Sequence, residues 1–239
     1  MKIIAIDSSG ITATVALASE DRVIAEYSVN NKKTHSQTLL PMLDEICKMT
    51  QTDMSEIEAI AVAAGPGSFT GLRIGSASAK GLGLALNVPI IPVPTLEGLA
   101  YNGWGFDGVV CPMMDARRSQ VYTGIYEFVD GEIVTVEDQC ADDVLVIVDK
   151  LNKLGKKVLL LGDGAAAYRD KIEQNLTAEH VYAPIHRNTQ SAASVAAAAF
   201  KRYEQGKTED AADHRPDYLR VSQAERERAA RISQEKGEA

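Results

Sequence analysis

The sequence predicts an α/β protein of two similar lobes, each a mixed β-sheet with crossover helices. Three observations carry this expectation. The order strand, Asp-turn, hairpin, helix, strand, Gly-x-Gly, helix occurs twice, first from Lys2 and again from Val109. Asp7 and Asp115 fall at equivalent strand ends, and Gly65-Pro66-Gly67 matches Gly162-Asp163-Gly164. The apolar runs are of two kinds: short continuous ones that suit doubly covered central strands, and alternating ones that suit hairpins. An internal repeat decides architecture before local detail does. Hairpins joined to parallel strands by right-handed crossovers give two mixed-sheet lobes facing each other.

Each element follows in order. Lys2 to Ile6 is a near-continuous apolar run, ended by the turn-forming Asp7-Ser8-Ser9-Gly10. Thr12 to Ala18 and Val23 to Val29 alternate around Ser19-Glu20-Asp21, completing a three-stranded meander. Thr34-His35-Ser36-Gln37 has the form of a capping box, and Leu39, Leu40, Leu43, Ile46 and Cys47 recur behind it at helical spacing to about residue 50. Ile57 to Ala64 is a buried strand that runs into Gly65-Pro66-Gly67-Ser68 and a helix from about Thr70 to Leu86. A short strand near Ile90 to Val93 follows, and Thr95 is placed to cap a short helix.

In the second half, Val109 to Met114 is a strand ending at Asp115, and Gln120 to Phe128 pairs with Glu132 to Val136 across Asp130-Gly131. Asp142 is placed to cap a helix closed by Gly155. Val158 to Leu161 opens into Gly162-Asp163-Gly164, and Ser191 to Gln205 is a further helix. The glycine-rich stretch Tyr101 to Gly108 reads as the hinge. These boundaries divide the chain into lobes 1–105 and 106–221 and a charged tail, 222–239, expected to be disordered.

Composition narrows the function classes. The chain has 239 residues, 45% apolar and 24% charged, enough to bury a core without metal or disulfide staples. Its charge is 25 − 33 = −8, which disfavours stand-alone nucleic-acid binding. Cys47, Cys111 and Cys140 lack metal or disulfide spacing and read as reduced thiols of a cytoplasmic protein. No apolar run reaches the length of a membrane helix, and the N-terminus is too short for a signal-peptide core.

The chemistry-bearing candidates are few. Gly65-Pro66-Gly67-Ser68 places backbone N–H groups at a helix N-terminus, which suits an anion. The spacing fits neither a P-loop nor G-x-G-x-x-G, so a tight turn is an equal reading. For Asp7 and Asp115, a local Asx-turn is favoured over a ligand-orienting role. Gly71, Gly75, Ala79 and Gly83 form a shallow stripe every four residues. Mid-helix glycines cost roughly 1 kcal/mol each against alanine, so they imply a compensating close contact. That contact is either the chain's own sheet or a partner. In the partner reading, Leu39, Leu43 and Ile46 join Leu72, Ala79 and Leu82 in one seam. His35, His180, His186 and His214 offer no H-x-x-x-H pair, and there is no G-x-S-x-G elbow.

These residues carry a resemblance. MKIIAIDSS, HSQTLLP, AVAAGPGSFTGLRIGSASAKGLG and DARRSQVY resemble the TsaB (YeaZ) family across about residues 2 to 128. Pro216-Asp217-Tyr218-Leu219-Arg220 is similar to that family's C-terminal P-x-Y-x-R element. The resemblance implies the duplicated actin/hexokinase/Hsp70-like (ASKHA) fold. It also implies a role in forming threonylcarbamoyladenosine next to the anticodon of tRNA. In that system TsaD carries metal and transfer chemistry, TsaE is an ATPase, and TsaC makes the threonylcarbamoyl-adenylate. TsaB is the non-catalytic subunit that pairs with TsaD through its first two helices.

The resemblance therefore implies His35, Leu39, Leu43, Ile46, Leu72, Gly75, Ala79 and Leu82 as partner-binding residues, with homodimerisation through the same helices when TsaD is absent. It leaves Asp7, Ser9, Gly65 and Gly67 as a vestigial phosphate site. No tightly bound cofactor is expected, since ATP and metal belong to partner subunits, and tRNA is reached through the complex. The competing expectations are an actin-like kinase or ATPase and, last, a peptidase.

Overall fold

The computed structural model describes residues 1–31 and 34–219. The expected tail 222–239, and Arg220, lie outside the described residues. The first sheet contains β1 (Lys2–Asp7), β2 (Thr12–Ser19), β3 (Arg22–Asn30), β4 (Ala59–Gly65) and β5 (Ile90–Pro94), in the order β3-β2-β1-β4-β5. The second contains β6 (Val109–Asp115), β7 (Gln120–Val129), β8 (Glu132–Asp143), β9 (Val158–Leu161) and β10 (His180–Tyr182), in the order β10-β9-β6-β7-β8. In each, the first strand has an antiparallel hairpin on one side and a parallel strand on the other. The expected repeat is thus a repeat of topology. Three-residue β10 is the one strand the apolar pattern did not reveal.

Alternation within β1 explains the first lobe's layers. Ile4 and Ile6 meet α1 (Leu39–Thr50) and α2 (Phe69–Leu86) on one face, while Ile3 and Ala5 face the other way. That other face is covered by α7 (Ala192–Glu204), from the far end of the chain. Ala192, Ala196 and Ala199 lie on a sheet face built from Ala5, Ala16, Ala18, Ala59, Ala61 and Ala63. The second lobe carries α4 (Val144–Leu154), α5 (Asp163–Ala167) and α6 (Arg169–Asn175), and on its opposite face α3 (Thr95–Ala100). Leu96 and Leu99 of α3 pack with Val110, Met114 and Leu161. The last helix of each half therefore covers the sheet of the other half.

This crossing corrects the expected boundary. Residues 106–221 are not one lobe, because α7 packs on the first sheet. The segment behind α7 returns to the first lobe as well. Ile90 and Glu209 exchange backbone hydrogen bonds at 3.0 and 2.9 Å, and Asp217 N donates to Ala64 O at 2.7 Å. The stretch 101–108 joins α3 to β6, with Gly103 packed against Val110 and Leu159 and Trp104 exposed.

Local signals were met unevenly. Thr34 makes no side-chain cap; His35–Gln37 form one 3-10 turn and α1 starts at Leu39. The capping box sits instead at Asp53 and Glu56, ahead of β4. Asp143, not Asp142, caps α4 by accepting from Leu145 N at 2.9 Å. Thr95 opens α3, but its hydroxyl accepts from Gly65 N at 3.1 Å instead of capping. Asp130 and Gly131 both have positive φ, as a two-residue hairpin requires.

Candidate functional site

Two places hold the expected site residues: a cleft between the lobes and the outer layer formed by α1 and α2. The cleft, about 510 Å³, is walled by Ser9–Ile11 and Gly67–Phe69 on one side and by Met114–Arg117, Tyr122 and Asp163 on the other. The two strand-end aspartates make matching Asx-turns. Asp7 Oδ1 accepts from Ser9 N at 2.8 Å, and Asp115 Oδ1 from Arg117 N at 2.8 Å. Asp115 also accepts from the Tyr168 hydroxyl at 2.7 Å and pairs with Arg117 Nη1 at 3.3 Å. Burial pushes the Asp7 carboxyl up to about 6, against the hydrogen bond it accepts from Ser9 N. Burial raises Asp163 too.

Of the four phosphate-site candidates, Ser9 and Gly67 line the cleft, whereas Asp7 and Gly65 lie behind it. Gly65 has φ +127°, and a side chain there would strike the Asp217 carbonyl. The glycine turn therefore makes room for the C-terminal segment. Ser68 caps α2 by accepting from Gly71 N at 3.3 Å, and its own N–H donates to Ser9 O at 2.7 Å, so these two N–H groups of the turn are already engaged. Across the cleft, Arg117, Arg118 and Ser119 are three consecutive non-glycine residues with φ of 68°, 56° and 63°. Such backbone costs on the order of 1–3 kcal/mol per residue unless neighbours hold it. Asp115, Val144 N donating to Ser119 O, and Lys171 Nζ donating to Ser119 Oγ hold it here. Nothing in the residue types signals this strain. Among the described residues, no cluster of three or more His, Cys, Asp or Glu side chains forms a metal site.

On the helix layer the expected seam is corrected. Leu39, Leu43, Ile46, Leu72 and Ala79 are all buried, Leu39, Leu43, Ile46 and Ala79 in the core beneath α1 and α2. Gly75 is buried against Ser8 Oγ and Val62, Gly71 against the Ser8 carbonyl, and Gly83 against Ala211 and Ile90. The small stripe thus lets α2 settle on its own sheet and turn, which is the compensating contact its glycines imply. Leu82 is half-buried on the same core. His35 is half-buried and directed at the cleft turn, its Nε2 2.8 Å from Gly10 O.

Other residues of these helices are exposed. Leu40 and Met49 of α1 are 51% and 78% exposed, and Leu84 of α2 is 58% exposed. Ala77, Gly81 and Ala85 form a second four-residue stripe that faces outward, with open space over Gly81. Both stripes are present in the sequence, and their spacing alone does not tell the inward one from the outward one.

Two mixed sheets of matching order with a cleft between them define a duplicated protein of the actin/hexokinase/Hsp70-like class. Residues 22–228 match the family model described as "TsaD: tRNA N6-adenosine threonylcarbamoyltransferase". The chain is 39% identical over 234 residues to the tRNA threonylcarbamoyladenosine biosynthesis protein TsaB of Bacillus subtilis, covering 94% of this chain and 96% of that one. It is 33% identical over 175 residues to TsaB of Escherichia coli, covering 71% and 74%. The chain belongs to the TsaB family. Among solved structures, a Pseudomonas aeruginosa protein described as similar to peptidase YeaZ superposes with a TM-score of 0.78 at 25% identity, covering 92% of this chain and 99% of that one. YeaZ of the same organism superposes with a TM-score of 0.76 at 24% identity, covering 91% and 99%.

Proposed function

We propose that this chain is the non-catalytic subunit of the assembly that forms threonylcarbamoyladenosine in tRNA, and that it offers the outward face of α1 and α2 to a TsaD-like catalytic subunit. Membership of the TsaB family carries the first part. The outward stripe Ala77, Gly81 and Ala85, with exposed Leu84 beside it on the same helix, supports the second. Small residues on a helix surface let a second helix approach closely, and interaxial distances of about 8–10 Å bury such faces well. A partner with the same fold presents an equivalent helix pair, so four helices pack across the contact. The same geometry serves a homodimer when the partner is absent.

In this reading ATP and metal are held by partner subunits, a TsaE-like ATPase among them. The net charge of −8 leaves contact with tRNA phosphates to other chains. Among the described residues, His35 and His180 are hydrogen-bonded to carbonyl groups and His214 to the Glu209 carboxylate, so none of the three is paired with a Ser, Thr or Cys nucleophile as a peptidase needs. Co-elution of the purified chain with a TsaD-like subunit tests the proposal. Gly81→Leu is expected to abolish co-elution and leave the monomer folded. Wild-type affinity in that variant overturns the assigned face. The cleft keeps a nucleotide-binding alternative in view: calorimetric titration with ATP and Mg²⁺ is expected to give no binding heat, and tight binding favours the kinase or ATPase reading.

A further inference from the structure

We propose that the turn Ser8–Ile11 transmits the occupancy of the interlobe cleft to the α1–α2 layer, with His35 as the positioning residue for α1. The turn has two faces. Ser9, Gly10 and Ile11 line the cleft. From behind, Ser8, Ser9 and Gly10 are fastened to the beginnings of both helices. Ser8 Oγ donates to Gly71 O at 2.8 Å, and Ser68 N donates to Ser9 O at 2.7 Å. His35 Nε2 lies 2.8 Å from Gly10 O, and because a carbonyl only accepts, Nε2 carries the proton.

No slack is left between these fastenings. Gly71 and Gly75 touch Ser8 so closely that a methyl group would not fit. Gly10 is backed by the side chain of buried Gln190 on the segment leading into α7. Among the described residues the imidazole makes no other bond, and Nδ1 is buried without a partner. His35 thus spends its one directional contact on the cleft turn. It stands in the 3-10 turn whose end, Thr38 O, accepts the first hydrogen bond of α1 from Met42 N at 3.0 Å. Displacing Gly10 therefore drags the start of α1, and displacing Ser8 or Ser9 drags the start of α2. Packed interiors transmit such shifts because they have little free volume to absorb them. Coupling of this kind is reciprocal, so a partner seated on the helices also changes what the cleft accepts.

The test fills the cleft from its far wall with Ala116→Trp, or Ala116→Leu if the larger side chain impairs folding. Hydrogen exchange of the isolated chain is followed at residues 42–46 of α1 and 72–76 of α2. The expected result is a several-fold change in exchange in both helices. In a His35→Ala background the α1 response disappears and the α2 response persists. His35→Gln, whose side-chain amide reaches the place of Nε2, restores the α1 response. An unchanged α1, or an α1 response that survives His35→Ala, overturns the proposal. The effect on a TsaD-like partner rests on the docking reading above and is measured separately. About a tenfold shift in Kd on filling the cleft is expected. A helix response with no shift in Kd leaves the coupling standing and counts against α1–α2 as the docking face.

Discussion

Gly71 and Gly75 differ from Gly81 only in the side of α2 they occupy, yet the three positions make opposite predictions. Gly71→Ala drives a methyl into the Ser8 carbonyl. Overpacking of this kind costs about 1–3 kcal/mol, and each kcal/mol lowers Tm by about 2–4 °C in a chain of this size. Thermal denaturation is expected to show that loss, and Gly75→Leu a larger one, in the monomer itself. A Cβ at Gly81 meets no neighbouring atom, so Gly81→Leu is expected to keep or raise Tm, by up to about 1 kcal/mol of helix propensity. Asp7 makes a different residue-scale prediction. Its carboxyl rises from the ordinary 3.8 to about 6 because burial disfavours the charge. The folded state then binds the proton more tightly than the unfolded one. That contribution is complete below 3.8 and is lost as pH rises through about 6, a change on the order of 3 kcal/mol. Asn at this position keeps an acceptor for Ser9 N–H without a charge. Asp7→Asn is therefore expected to raise Tm near neutral pH and to lose that advantage on acidification to about pH 4.

At the scale of elements, α1 and α2 show what periodicity can and cannot resolve. Apolar spacing located both helices and identified the faces that must be covered. It could not say by what, because Leu39, Leu43, Ile46 and Leu72 read the same whether they meet their own sheet or a sister protein. The inward faces belong to the monomer. The outward ones are therefore the place to test assembly. Leu84→Glu puts a charge at an exposed apolar position. It is expected to weaken binding of a TsaD-like subunit at least tenfold, about 1.4 kcal/mol, with secondary structure unchanged. Titration calorimetry and circular dichroism measure the two halves of that statement. Capping chemistry was similarly ambiguous. Thr34 and Gln37 have the right spacing, but the backbone there closes a 3-10 turn, while Asp53 and Glu56 realise the motif where no long helix follows. The cleft turns were legible at Asp7 and Asp115, since short acceptors after buried strands favour Asx-turns. The left-handed run at Arg117–Ser119 was not, because neither arginine nor serine prefers that backbone.

At the scale of the whole molecule, the repeat was legible and the exchange of helices was not. Chain order places α7 with the second half, and only the packing shows that its alanines fit the alanine-lined face of the first sheet. Each sheet thus depends on a helix from the other half. A fragment ending at residue 190 is expected to lose native-like order in the first sheet as well as α7, detectable as aggregation or as poor dispersion of amide signals. The intact chain is expected to unfold in one transition by both far-ultraviolet dichroism and calorimetry; two separated transitions would count against the mutual dependence of the lobes. The same exchange bears on how the protein is born. When β5 leaves the ribosome, the first sheet has all five strands but lacks the cover for one apolar face until α7 emerges, some 110 residues later. At synthesis rates of about 5–20 residues per second, that face waits roughly 5–20 s. A nascent-chain chaperone has that interval in which to hold it.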